Sequence, residues 1–124
     1  MANPRPKHLD LFTIRLPVPG LVSILHRVSG FGLFLFLPLL LWLLHDSLAA
    51  PESYVRFRDA ITHPLVKLVL IGLLWAFLHH VCAGLRFLAL DLHYGTSLLA
   101  ARASSAAVLV LSILLTIVLG VLVW

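Results

Sequence analysis

Charge is scarce in this chain. Nine Lys and Arg and five Asp and Glu make up 11% of its 124 residues, against about 25% in an average soluble domain. A water-facing surface cannot be built from so few charges, so a separate soluble domain is excluded. Cysteine is nearly absent as well. The lone Cys82 rules out an internal disulfide and any Cys-x-x-Cys pair, and it reads as a small packing residue. No P-loop, zinc-ligand spacing or nucleophile elbow occurs. Internal repeats and paired broken helices are missing too, which argues against a transporter.

What the chain has in abundance is apolar sequence: 61% of residues, with a mean hydropathy of +1.08. A bilayer crossing takes roughly 20 apolar residues, and three stretches qualify, at about 21–48, 64–90 and 103–124. The fold class read from this is all-α and integral to the membrane, with a segment 1–20 on the cytoplasmic side and a three-helix transmembrane domain over 21–124. Pro4, Pro6, Pro17 and Pro19 forbid a long helix at the start. Pro38 falls inside the first span, where a kink is tolerated. The stretch 49–63 is an outer connection with a short interfacial helix. The stretch 91–102 is the inner one, with Gly95 and Thr96 as turn residues.

Orientation follows from Lys and Arg near the span ends. Arg5, Lys7, Arg15, Arg27, Arg86 and Arg102 fall on one side, and Arg56, Arg58 and Lys67 on the other. The excess sets the N-terminus in the cytoplasm and Trp124 outside. Basic residues split between two faces do not bind nucleic acid; the net charge of +4 instead fits contact with anionic lipid. Ser47-Leu48-Ala49-Ala50 resembles a signal cleavage site, but the preceding apolar run exceeds the roughly 7–15 residues of a signal core. The sequence also carries no Arg- and Ser-rich amphipathic leader, which favours a bacterial plasma membrane.

Two clusters carry chemistry. The first, Ser23-Ile24-Leu25-His26-Arg27-Val28-Ser29-Gly30, lies where the first span enters the membrane. Ser23 and Arg27 are four apart and share a helix face. A hydroxyl and a guanidinium together suit a carbonyl-bearing ligand such as a quinone headgroup, and donors that favour negative charge on its oxygen ease one-electron steps. The alternative is that Arg27 snorkels to lipid phosphate and Ser23 caps a helix.

The second cluster is His79-His80-Val81-Cys82-Ala83-Gly84-Leu85-Arg86, with Asp91 beyond it. A histidine deep in a span is rare and usually functional. A neutral imidazole beside bare glycine backbone provides an axial ligand and room for a flat haem, and an arginine at the end of the stretch would meet haem carboxylates. Either histidine qualifies; the pairing with Gly84, four residues on, favours His80. The alternative is a histidine bonded to a neighbouring helix. Trp75 is too deep for an interfacial anchor and has no assigned role. Three helices are few to enclose a macrocycle, and one chain offers one well-placed histidine, so two axial histidines would imply a partner subunit.

Ser-x-x-His-Arg-x-Ser-Gly followed by His80-x-x-x-Gly84-x-Arg86 and Asp91 resembles the cytochrome b membrane-anchor family of succinate dehydrogenase, respiratory complex II. Leu9-Asp10-Leu11, Thr13-Ile14-Arg15, Leu41-Trp42-Leu43-Leu44, Pro51-Glu52 and Gly120-Val121-Leu122-Val123-Trp124 extend the likeness over most of the chain. The resemblance implies half of a heterodimeric haem-binding helix bundle. A second small membrane-anchor subunit would supply the other axial histidine to a shared haem b. An iron–sulfur subunit and a flavoprotein would dock on the cytoplasmic face, and ubiquinone would receive electrons from succinate. It implies His80 as the axial ligand, Ser23 and Arg27 at the quinone, and His26, Arg27 and Arg86 around the haem propionates. Asp91 matches an acidic residue of the family. Where some relatives carry histidine after Gly-x-Arg, this chain has Phe87, which leaves His80 as the ligand. The chain would be a non-catalytic subunit of a succinate:quinone oxidoreductase. The rival readings are a fumarate reductase anchor and a haem-free structural anchor.

Overall fold

The computed structural model describes residues 15–124. Helix α1 runs Val18–Ala49, α2 Pro51–Thr62, α3 Pro64–Asp91 and α4 Leu98–Val123, and no strand occurs among the described residues. Helices α1, α3 and α4 are long and apolar enough to cross a membrane, which bears out the all-α, three-span reading. The 32 residues of α1 reach about 48 Å at 1.5 Å per residue, well beyond a hydrocarbon layer about 30 Å thick. Most of the N-terminal tail lies outside the described residues.

Proline and small polar residues set the boundaries. α1 starts three residues before the expected Leu21, because Pro19 falls in the first turn, where a missing N–H costs nothing. Pro51 and Pro64 take the first positions of α2 and α3 in the same way. Ser53 folds back on Ala50, accepting from its N–H at 2.9 Å and donating to its carbonyl at 2.8 Å. His63 Nδ1 accepts from the Leu65 N–H at 3.3 Å at the head of α3. α4 begins five residues before the expected Ala103, because the Ser97 hydroxyl caps it on the Ala100 N–H at 3.3 Å. The inner connection therefore shrinks to six residues, 92–97. His93 and Gly95 both take positive φ there, 65° and 71°, and the Tyr94 N–H closes on the Ala89 carbonyl at 3.0 Å.

The long helices alternate in direction. On α3 and α4, Arg86 meets Ala101 and Ser104 while Lys67 meets Trp124. On α1 and α3, His80 meets His26 and Ser29 while Leu70 and Leu73 line a groove with Leu33 and Leu40. Polarity is inverted relative to a soluble bundle. Phe31, Phe34, Leu85, Leu114 and Val121 are exposed, whereas Ser29, His79, Arg86, Ser105, Ser112 and Thr116 are buried. In lipid, apolar side chains gain nothing by hiding, so close approach of small residues and internal hydrogen bonds hold helices together. Ser105, Ser112 and Thr116 each satisfy their hydroxyl on a carbonyl of α4 itself.

Candidate functional site

The two sequence clusters meet where α1 crosses α3. The rings of His26 and His80 stack with centroids 4.2 Å apart and planes 11° from parallel. His80 Nδ1 lies 3.0 Å from the main-chain oxygen of His26 and 3.2 Å from Ser29 Oγ. The Ser29 hydroxyl donates to the same His26 carbonyl at 2.9 Å. Both neighbours of Nδ1 thus act as acceptors, so Nδ1 carries the hydrogen and donates. The lone pair is left on Nε2.

The glycines differ in what they clear. A Cβ on Gly30 would sit 2.8 Å from His80 Cε1, so the ring would have to shift to admit any side chain there. A Cβ on Gly84 would lie 3.6 Å from His26 Nε2, an ordinary contact. Gly84's open side therefore faces His26, and Gly30 is the glycine that His80 requires.

His79 faces elsewhere. It is fully buried, stacks on Trp75 at 5.3 Å, and neither ring nitrogen has a protein partner among the described residues. His80 is half-buried on the α1-facing side. No group of three metal-ligating side chains converges among the described residues.

Ser23 and Arg27 lie together on α1 below this crossing, the serine half-buried and the arginine exposed. Ser23 sits more than a turn inside a helix that begins at Val18, so it is not a cap. Arg86 is buried. Its Nε donates to Ser104 Oγ at 3.0 Å and its Nη2 to the Ala101 carbonyl at 3.3 Å. The Phe87 ring lies 5.4 Å from the guanidinium carbon and 5.2 Å from the His26 ring. The fold brings His26, Ser29, Gly30 and His80 into contact and turns the Arg86 guanidinium toward α4.

A family model described as succinate dehydrogenase/fumarate reductase transmembrane subunit matches residues 1–119. The chain belongs to this family. Among curated relatives, it is similar to the succinate dehydrogenase cytochrome b556 subunit of Coxiella burnetii, 39% identical over 97% of both chains. It is likewise similar to the subunit of that name from Rickettsia felis, 34% identical over 96% of this chain and 93% of that one. The one from Paracoccus denitrificans is 30% identical over 93% and 87%. The resemblance carried by the two clusters is borne out, and the chain is a membrane-anchor subunit of this family.

Three residues of this transmembrane subunit escaped sequence reasoning. Ser29 and Gly30 were part of the first motif, but their roles depend on which helix they face. Asp46 belongs to no motif and has no basic residue at helical spacing, so nothing in the sequence marks it. Its carboxylate is buried and meets Arg56 Nε at 3.4 Å, tying α2 to α1.

Proposed function

We propose that this anchor is the cytochrome b subunit of a succinate dehydrogenase that holds haem b jointly with a second small membrane subunit. One observation carries the reading: His80 Nδ1 is occupied by acceptors on α1, so Nε2 is the nitrogen left to bind iron. An imidazole oriented this way by its other nitrogen is what a metal ligand requires. When bound, haem supplies a one-electron carrier whose potential the protein tunes.

His80 would be the axial ligand from this chain, and the partner subunit would contribute the other histidine. His26 and Arg27 would face the propionates, where donors and positive charge offset buried carboxylates. Arg86, with Nε and Nη2 committed to α4, would add positive potential more than a direct bond. Ser23 and Arg27 would bind ubiquinone, the hydroxyl and guanidinium donating to a carbonyl oxygen and favouring negative charge there. An iron–sulfur subunit and a flavoprotein would dock on the cytoplasmic side and deliver electrons from succinate. Lipid would cover the apolar flanks. The excess of basic residues on the N-terminal side supports a cytoplasmic N-terminus, in what would be a bacterial inner membrane. The names of the relatives favour succinate oxidation over fumarate reduction.

Purification through a tag on this chain tests the proposal. It should bring down a second small membrane subunit, an iron–sulfur subunit and a flavoprotein, with a b-type absorption spectrum and succinate-driven ubiquinone reduction. Recovery of an assembled complex with no haem signal, under adequate haem supply, would overturn the cofactor assignment.

A further inference from the structure

We infer that Ser29 and Gly30 are positioning residues for His80, fixing which ring nitrogen faces the iron and how electron-rich that nitrogen is. The inference rests on His80 being the axial ligand. It adds that one segment of α1, and not the ligand's own helix, sets the ligand's donor strength.

The argument begins with the hydroxyl. Ser29 is buried, and its single hydrogen is committed to the His26 carbonyl at 2.9 Å. Only lone pairs of Ser29 Oγ remain to face His80 Nδ1 at 3.2 Å, beside the His26 carbonyl oxygen at 3.0 Å. A bare Nδ1 would oppose lone pair to lone pair at two oxygens. The hydrogen is therefore held on Nδ1 and shared between two acceptors. Acceptors on the far nitrogen raise the basicity of the ligating one, and a stronger donor favours the oxidised iron. Removing one acceptor should raise the midpoint potential.

Gly30 supplies the space for this arrangement. A Cβ there would fall 2.8 Å from His80 Cε1 and 3.3 Å from Nδ1, forcing the ring off both oxygens. Glycine inside a helix is less favourable than alanine, so its place in the middle of α1 calls for a reason, and the His80 ring provides one. Helix capping accounts for neither residue, since α1 begins well before them, at Val18.

The test uses the whole complex and three readouts: the reduced-minus-oxidised spectrum, the haem midpoint potential and the low-spin ferric EPR signal. Ser29→Ala should keep haem, raise the midpoint and shift the EPR signal, and Ser29→Thr, which restores a hydroxyl, should return both toward wild type. Ser112→Ala is the control: this buried serine bonds only to its own helix, on the Leu109 carbonyl, and its loss should move neither readout. Gly30→Ala should alter the EPR signal by displacing the ring, and it serves if Ser29→Ala does not assemble. An unchanged midpoint and EPR signal in Ser29→Ala, or an unchanged EPR signal in Gly30→Ala, would overturn the inference. His80→Ala measured alongside separates the two claims. If it retains a wild-type low-spin signal, the ligand assignment itself fails.

Discussion

His80 is held by the main chain of His26 and covered by that residue's ring: its Nδ1 lies 3.0 Å from the residue-26 carbonyl, and the two imidazoles stack at 4.2 Å. A deep polar side chain on α3 is thereby tied to backbone on α1, and the two motifs become one site.

The bond to residue 26 uses its carbonyl, so it survives loss of the side chain. His26→Ala should keep a low-spin haem signal while losing the stacked ring, worth about 0.5–1.5 kcal/mol. Thermal melting of the purified complex checks the second part and its visible spectrum the first. Complete loss of haem would show that the imidazole itself, not the carbonyl, is what matters.

Ser23 and Arg27 are the donors proposed for quinone. Arg27→Ala should lower succinate-driven ubiquinone reduction by about 10- to 100-fold, the effect of one charged hydrogen bond. Succinate oxidation with a soluble dye that accepts electrons before the membrane should stay near wild type. Ser23→Ala should act in the same direction but more weakly, because a neutral donor is lost. Equal loss in both assays would mean that Arg27 supports assembly instead.

Arg86 joins α3 to α4 through Ser104 and Ala101. Arg86→Ala should destabilise the complex by about 1–3 kcal/mol, read as a lower Tm, while the haem spectrum changes little. The opposite pattern, an altered spectrum with unchanged stability, would place its main role at the propionates.

At the outer end, Asp46 is buried and Arg56 is 65% exposed at the side chain. Removing the arginine strands a buried carboxylate, whereas Asp46→Asn removes the charge itself. Arg56→Ala should therefore lower the Tm more than Asp46→Asn does, even though it changes the more exposed partner. The reverse order would mean that the pair is not what secures α2.

The helices were legible because their apolar runs match the thickness of a bilayer, and the motifs because each pairs chemistry with helical spacing. The offsets have local causes: Pro19 tolerated in a first turn, and Ser97 capping α4 earlier than its apolar run suggested. Spacing within a helix gives the faces but not the neighbour. His80 and Gly84 share a face by periodicity, yet the glycine that touches His80 is Gly30, on another helix. Trp75, unassigned from sequence, packs on His79 in the interior, a pairing visible four residues apart but without meaning until the buried side of α3 is known. Arg86 read as a propionate partner from its position at the end of the stretch, while its hydrogen bonds run to α4, which no spacing within α3 predicts.

The ligand assignment is tested most directly by visible spectra of the purified complex carrying His80→Ala beside one carrying His79→Leu. Wild type and His79→Leu should both show a low-spin b-type signal, because His79 is enclosed within the bundle and its replacement removes two unpartnered buried nitrogens. His80→Ala should lose that signal or convert it to a high-spin form. A low-spin spectrum that survives in His80→Ala and disappears in His79→Leu would contradict the account.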